Sequence, residues 1–186
     1  MNLLLGVTGG IAAYKACELV SLATKAGWSV RVVMTPAATA FVGPLTFEAL
    51  TNHQVMVDAH ATGASSEGVH AVEHVQWAKW ADVGCVAPMT ASTMARLACG
   101  LADDALSTVF LAIPNGTPIV LAPAMNTAMW DAPVTQRNRA WLEALDRYHW
   151  AEPVSKRLAC GDVGVGGLAA PDAILEAVRA AIGARA

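Results

Sequence analysis

Charged side chains are scarce in this chain of 186 residues, where they make up 15% of the composition. The formal net charge is -3 at pH 7, and the few lysines and arginines form no basic cluster. Because proteins bind nucleic acids largely through clustered positive charges on the phosphates, this composition argues against a nucleic-acid partner. A small-molecule ligand is the expectation instead.

Long hydrophobic runs are also missing, although hydrophobic residues reach 55% of the composition. Glycines, prolines and charges interrupt every run before the roughly 18 apolar residues that a membrane-spanning helix needs. The amino terminus lacks the basic region of a signal peptide. We therefore expect a cytoplasmic protein without a membrane partner. An isolated domain this apolar would expose much hydrophobic surface to water, so we also expect an oligomer.

Cysteines are few, and none of them lies in a C-x-x-C pair. The four residues are Cys17, Cys85, Cys99 and Cys160. Paired spacing is the usual signature of a zinc site, and a dense cysteine framework is that of small secreted domains. Their absence predicts reduced thiols and no metal site.

Apolar segments rich in β-branched residues alternate with helical patterns along the whole chain. This order predicts an α/β fold: a single-domain three-layer αβα sandwich over residues 1–186, with an open parallel sheet of the flavodoxin or Rossmann-like kind. The segments are short and apolar enough for strands buried on both faces. The predicted strands are residues 3–7, 29–34, 54–57, 82–87 and 118–121.

Two helices are predicted from apolar residues spaced three and four apart. The first covers residues 11–26, and the second begins at Pro171, a residue that the first turn of a helix tolerates. The buried side of the second is predicted to contain Ile174, Leu175, Val178 and Ile182. Residues 59–72 and 152–170 match neither pattern. Because long irregular loops in a compact domain are often functional, we expect the active site there.

A pair of glycines, Gly9 and Gly10, separates the first strand from the helix that starts at Ile11. Glycines let the backbone approach an anion, and the helix start presents unpaired N–H groups, so a phosphate fits this turn. The spacing is not G-x-G-x-x-G, and the second strand closes with Met34-Thr35 rather than an acidic residue. A mononucleotide therefore suits it better than NAD. An ordinary strand-to-helix turn is the alternative.

Two further groups have both a functional and a structural interpretation. His74 is either a proton carrier near neutral pH or a surface residue that caps a turn. The hydroxyls of Thr90, Ser92 and Thr93 follow a predicted strand, at the edge where open α/β sheets bind ligands. They either bind a phosphate or simply cap the next helix.

The segment from Pro123 to Trp130 reads Pro-Ala-Met-Asn-x-x-Met-Trp. This string resembles the signature of the homo-oligomeric flavin-containing cysteine decarboxylases. Further ordered matches occur at residues 8–15, 35–41, 44–50, 79–82 and 157–162, so the resemblance covers nearly the whole chain.

The resemblance implies flavin mononucleotide (FMN) as the cofactor. It implies that the FMN phosphate contacts the first glycine turn and the hydroxyls after a later strand, with the flavin ring near the Pro-Ala-Met-Asn turn. The implied cofactor residues are Gly9, Gly10, Ile11, Thr35, Phe41, Thr90, Ser92, Thr93, Ala124 and Met125. It further implies His74 and Cys160 as active-site residues and Asn126 and Met129 as substrate contacts, with Asn126 also catalytic.

The implied reaction is the decarboxylation of phosphopantothenoylcysteine to phosphopantetheine in coenzyme A biosynthesis. Oxidation of the thiol-bearing carbon to a thioaldehyde creates the electron sink that a saturated cysteine carboxylate lacks. His74 would manage a proton or the developing charge, and Asn126 would bind the carboxylate. Cys160 would protonate the ene-thiolate while reduced flavin returns a hydride.

Two other functions stay open on the sequence. One is an oxidative decarboxylase of a C-terminal cysteine in a precursor peptide, where the ene-thiol is released; the segment around Cys160 favours the pantothenate branch. The other is a non-catalytic regulatory subunit, which usually carries a long acidic tail. Gly167 stands where two-domain bacterial relatives usually have a basic residue. The family also implies a homotrimer or homododecamer, with the preceding ligase step on another protein.

Overall fold

A computed structural model describes residues 1–58, 73–157 and 163–184. In this part of the chain, five parallel strands form one sheet in the order β2-β1-β3-β4-β5. The strands are β1 Asn2–Val7, β2 Ser29–Met34, β3 Val83–Met89, β4 Ile119–Pro123 and β5 Tyr148–Trp150. The predicted α/β fold with an open parallel sheet is confirmed.

Helices alternate with these strands. They are α1 Lys15–Lys25, α2 Pro44–Thr51, α3 Glu73–Trp80, α4 Ala91–Cys99, α5 Ala105–Leu111, α6 Thr127–Asp131, α7 Pro133–Glu143 and α8 Pro171–Gly183. Short 3-10 helices occupy Ile11–Tyr14 and Pro36–Ala40. None of the described helices has both the length and the apolar character needed to cross a membrane.

The sheet separates two hydrophobic clusters, because side chains alternate between the faces of a strand. Leu3 and Leu5 of β1 belong to one cluster with the buried side of α1 and α8. Leu4 belongs to the other, together with Leu106 and Phe110 of α5. Every residue of β3 and β4 is buried, as expected for strands with helices on both sides.

The predicted strand at residues 54–57 is wrong. Only Met56 pairs with the sheet there, through one isolated parallel bridge to Val33 at the edge strand. The apolar run resembled a strand locally, but a single paired residue does not make a ladder. By contrast, β5 was not predicted, because three partly buried residues of the sequence Tyr-His-Trp give no apolar signal.

The irregular loop predicted at residues 152–170 is also wrong in part. The described residues there form an antiparallel pair, β6 Val154–Arg157 and β7 Val163–Gly167. The glycines of this segment hid the strand pattern. The other predicted loop, 59–72, lies outside the described residues.

Both predicted helices exist with small differences. The first begins as a 3-10 helix, with Ala13 N–H donating to the Gly10 carbonyl at 2.9 Å. In α8, the buried residues include Ala181, whereas Ile182 is only partly buried. The helix rotation therefore places a smaller side chain in the core than the periodicity predicted.

Candidate functional site

The carboxyl ends of β1 to β4 lie at one edge of the sheet, because the strands are parallel. Thr8 connects two of them: its buried hydroxyl donates to the Pro88 carbonyl at 2.7 Å and accepts from the Thr90 N–H at 3.1 Å. On the other side of β3, Ala124 N–H donates to the Met89 carbonyl at 2.9 Å. In open α/β sheets this edge is where ligands bind.

The first glycine turn is pressed against a neighbouring segment. A Cβ at Gly9 would lie 2.5 Å from the Cβ of Ala37 in the 3-10 helix after β2, a distance that no side chain could accept. At Gly10, the nearest heavy atom to such a Cβ is Thr90 Cγ2 at 3.8 Å. The first turn that starts at Ile11 has N–H groups without acceptors in the helix, at its positive end. The turn therefore has the geometry and polarity of an anion cradle.

Thr35 supplies an unsatisfied hydroxyl beside this cradle. Its N–H donates to the Val7 carbonyl at 3.0 Å, which holds the residue at the tip of β2. The residue is 7% exposed, and its Oγ1 is buried without a hydrogen-bond partner among the described residues. Buried hydroxyls are nearly always hydrogen-bonded, so this atom is suited to a ligand.

Of the three hydroxyls after β3, Thr90 has the capping role that the sequence left open. Thr90 is the N-cap of α4, and its Oγ1 accepts from the Thr93 N–H at 3.4 Å. Ser92 is exposed and accepts from the Arg96 guanidinium one turn later. Thr93 itself is buried at 1% exposure. Capping and ligand binding are compatible here, since a hydroxyl oxygen has two lone pairs.

The Pro-Ala-Met-Asn turn follows β4 and leads into α6. Asn126 is the N-cap of α6, and its side-chain oxygen accepts from the Ala128 N–H at 2.8 Å. Ala124 and Met125 are half-buried, whereas Met129 is 49% exposed. The cap fixes the orientation of the Asn126 amide, and Met129 presents an apolar surface on the same short helix.

The β6–β7 pair docks on this turn through backbone contacts. Met125 N–H donates to the Gly166 carbonyl at 2.9 Å. Gly166 has φ +139°, and a Cβ there would lie 2.3 Å from the Met125 carbonyl oxygen. A Cβ at Gly164 would lie 2.6 Å from Thr127 Oγ1. Sequence reasoning missed both glycines as site residues, although their density in this segment was a visible signal.

His74 lies in the first turn of α3. The other end of this helix lies at the amino end of β1, where the Trp80 carbonyl accepts from the Asn2 side-chain amide at 3.0 Å, so His74 is at the end of α3 away from that contact. The imidazole is half-buried, and its Nδ1 is buried without a hydrogen-bond partner in the described part of the chain. Arg31 of β2 anchors this helix, with its guanidinium carbon 5.3 Å from the centre of the Trp77 ring and 4.6 Å from that of Trp80.

The cysteines divide into different environments. Cys85 is fully buried in β3, and burial raises the pKa of its thiol to about 12, so it stays neutral and inert at ordinary pH. Burial also raises the pKa of the half-buried Cys17. Cys99 is exposed at the end of α4. Cys160 lies outside the described residues. No group of metal-binding side chains occurs among the residues described.

A family model described as flavoprotein matches residues 1–183. The chain belongs to the flavoprotein family. It is 42% identical to a probable phosphopantothenoylcysteine decarboxylase of Streptococcus mutans, over 95% of this chain and 96% of that protein. It is 45% identical to the coenzyme A biosynthesis bifunctional protein CoaBC of Bacillus subtilis, over 94% of this chain. The flavoprotein chain spans only 41% of the length of that bifunctional relative.

Solved structures of flavoprotein relatives superpose over nearly the full length. One is a cysteine-to-serine variant of a PPC decarboxylase complexed with pantothenoylaminoethenethiol, with a TM-score of 0.82 at 32% identity over 96% of both chains. Another is the FMN-dependent cysteine decarboxylase SpaF, with a TM-score of 0.75 at 33% identity over 95% of this chain and 97% of that one.

The glycine contacts of the β6–β7 pair make a testable prediction. Replacing Gly166 with alanine should lower the free energy of unfolding by roughly 1–3 kcal/mol, because the added Cβ meets the Met125 carbonyl and the φ angle disfavours alanine. Urea unfolding measures the change. Gly183→Ala is the control, since nothing lies within 4 Å of a Cβ there. Equal stabilities of the two variants would contradict the docking role.

Proposed function

We propose that this chain is an FMN-dependent carboxy-lyase that converts phosphopantothenoylcysteine to phosphopantetheine in coenzyme A biosynthesis. The observation that carries the proposal is the end-to-end match to the probable decarboxylase of Streptococcus mutans, 42% identical over 96% of its length. The structural likeness to a PPC decarboxylase variant complexed with pantothenoylaminoethenethiol supports the same substrate class.

The strand-tip residues fit FMN. Gly9, Gly10 and Ile11 would present a glycine turn and a helix start to the phosphate, and the hydroxyls of Thr90, Ser92 and Thr93 would add further contacts. The Thr35 hydroxyl, which is buried and finds no hydrogen-bond partner in the described part of the chain, is the specific observation in favour of a bound polar ligand. Phe41, which is 48% exposed, adds an apolar face nearby, and Ala124 and Met125 would border the ring. When bound, FMN supplies the two-electron chemistry at the thiol-bearing carbon of the substrate.

Asn126 and Met129 would hold the substrate cysteine. The Asn126 side chain is fixed by its cap on α6, so its amide can address a carboxylate in one orientation. A neutral amide binds a carboxylate without the strong ground-state stabilisation that an arginine would give, which preserves the drive to lose carbon dioxide. Met129 offers exposed apolar contact to the rest of the cysteine unit.

His74 and Cys160 would manage protons. The Nδ1 of His74 is buried and has no hydrogen-bond partner among the residues that the structure describes, which leaves the imidazole suited to a substrate hydrogen bond. For Cys160 the support is the resemblance of residues 157–162 alone: its thiol would donate the proton that the ene-thiolate carbon needs before the product leaves.

An oxidative decarboxylase of peptide C-terminal cysteines is the second candidate function. This function is favoured by the likeness to SpaF, an FMN-dependent cysteine decarboxylase. The two proteins are 33% identical over nearly the full length of each. The two functions differ in the fate of the ene-thiol, which is protonated and reduced in the first and released in the second.

We also propose that the active form is an oligomer built on trimers. Large apolar side chains are exposed next to the first glycine turn and on the adjoining helix: Ile11 is 62% exposed, Tyr14 60% and Leu45 75%. A second copy of the chain would cover this surface and place subunit contacts beside the cofactor.

The purified wild-type protein is expected to be a yellow oligomer. Its absorption spectrum should show bound flavin, and sedimentation should give a species larger than a monomer. Incubated with phosphopantothenoylcysteine, it should form a product that has lost carbon dioxide alone, as weighed by mass spectrometry. Loss of carbon dioxide and two hydrogens from a cysteine-ending peptide, without turnover of the first substrate, would establish the second function. A colourless protein that refuses added FMN would contradict both.

Replacing Thr35 with valine should weaken FMN binding by roughly tenfold, because it removes one hydrogen bond from a buried ligand. Titration of the flavin-free protein with FMN, followed by flavin fluorescence, measures the affinity. Thr39→Val is the matched control, since the Thr39 hydroxyl donates to the Pro36 carbonyl and the residue is half-exposed. Unchanged affinity in Thr35→Val would show that the orphaned hydroxyl does not contact FMN.

Replacing His74 with asparagine should reduce kcat by about 100-fold or more, since a positioned acid or base contributes this much to proton transfer. Bound flavin should stay at the wild-type level. His53→Asn, at a histidine that contacts Ser29 at the amino edge of the sheet, should leave kcat unchanged. Wild-type turnover by His74→Asn would remove this residue from the mechanism.

A further inference from the structure

The guanidinium of Arg139 lies between two tryptophan rings from different elements. Its central carbon is 5.3 Å from the centre of the Trp130 ring in α6 and 4.9 Å from that of Trp150 in β5. Arg139 itself belongs to α7. One cation therefore joins three segments that are separate in sequence, through contacts between positive charge and aromatic faces.

Two carboxylates accept hydrogen bonds from the guanidinium and fix its orientation. Arg139 Nε donates to Glu143 at 2.7 Å, and its two terminal nitrogens donate to both oxygens of Glu152, at 2.7 and 3.1 Å. This bidentate geometry needs the planar fork of arginine, which lysine cannot reproduce. The side chain is therefore fixed in orientation as well as in position.

Trp130 transmits this constraint to the turn that contains Asn126. The Trp130 N–H donates to the Asn126 carbonyl at 2.9 Å, and Gln136 donates to the Trp130 carbonyl at 2.6 Å. Helix α6 has only five residues, too few to be stable through its own hydrogen bonds. Its position must come from tertiary contacts, and the 7% exposed ring of Trp130 is the largest side chain that α6 buries.

We infer that Arg139 is a positioning residue for the reaction: it clamps Trp130 and thereby holds Asn126 and Met129 where they bind the substrate cysteine. This inference rests on the proposed function for the identity of the substrate. In this proposal Arg139 does not contact the reacting atoms. Arg139 acts through the Trp130 ring and the backbone of α6.

Two variants test the role of Arg139. Arg139→Met keeps a long apolar side chain between the rings but removes the charge and the fork, whereas Arg139→Lys keeps the charge and loses the bidentate pairing. In native-state hydrogen exchange, the Trp130 amide should exchange about tenfold faster in Arg139→Met, with Arg139→Lys in between. Because exchange needs no substrate, this measurement holds even if the protein acts on another thiol.

Steady-state kinetics on the FMN-loaded enzyme complete the test. Arg139→Met should lose about tenfold or more in kcat/KM with unchanged flavin content, and Arg139→Lys should recover part of the loss. Arg147→Met is the matched control: Arg147 stacks on Tyr148 and donates to the Ile113 carbonyl at the opposite edge of the sheet. The Arg147→Met variant should be less stable than the wild type but should keep its kcat/KM and its rate of hydrogen exchange at the Trp130 amide.

The outcomes separate the two proposals. An inactive wild-type protein would refute the proposed function, whatever the variants do. An active wild type with unchanged Trp130 exchange and unchanged kcat/KM in Arg139→Met would overturn the positioning role. Equal losses of kcat/KM in Arg139→Met and Arg147→Met would also overturn it, because they would indicate general destabilisation.

Discussion

The buried hydroxyl of Thr8 is the contact on which the candidate site depends. It donates to the Pro88 carbonyl near the end of β3 and accepts from the Thr90 N–H just after β3, so it ties the end of β1 to the end of β3. The first glycine turn follows Thr8 directly, and helix α4 starts at Thr90. One side chain therefore sets the position of the glycine turn relative to the start of α4, and a shift of either strand would move the two apart.

Close backbone contacts complete the site on its two sides. Gly9 lets the first turn touch the 3-10 helix after β2, and Gly166 lets the β6–β7 pair hydrogen-bond to the turn after β4. In both places a Cβ would stand closer than 3.0 Å to another chain segment. Glycine is required here because two distant segments share the space, and in the second case also because φ is positive.

The same combination of arginine and tryptophan supports both reactive turns. Arg31 stacks on Trp77 and Trp80 in α3, the helix that carries His74 in its first turn, and Arg139 stacks on Trp130 of α6 and on Trp150. All six tryptophans have an arginine guanidinium over the ring, and four of them belong to these two groups. His74 and Asn126, which are proposed to act in the reaction, lie at the starts of short helices. Contacts between arginines and tryptophans hold these helices in place.

The sequence by itself determined the α/β class, four of the five sheet strands, both helices that periodicity identified, and the glycine turn. These follow from signals that lie within a few residues: alternation, helical spacing and the turn chemistry of glycine and proline. The tertiary structure alone decided that residues 54–57 stay outside the sheet except for Met56 and that Tyr148–Trp150 joins it. It also decided the docking of Gly166 on Met125 and the grouping of Arg139 with two tryptophans. Each of these contacts joins residues from different helices, strands or turns, and no pattern within a few residues encodes which partner a residue will meet.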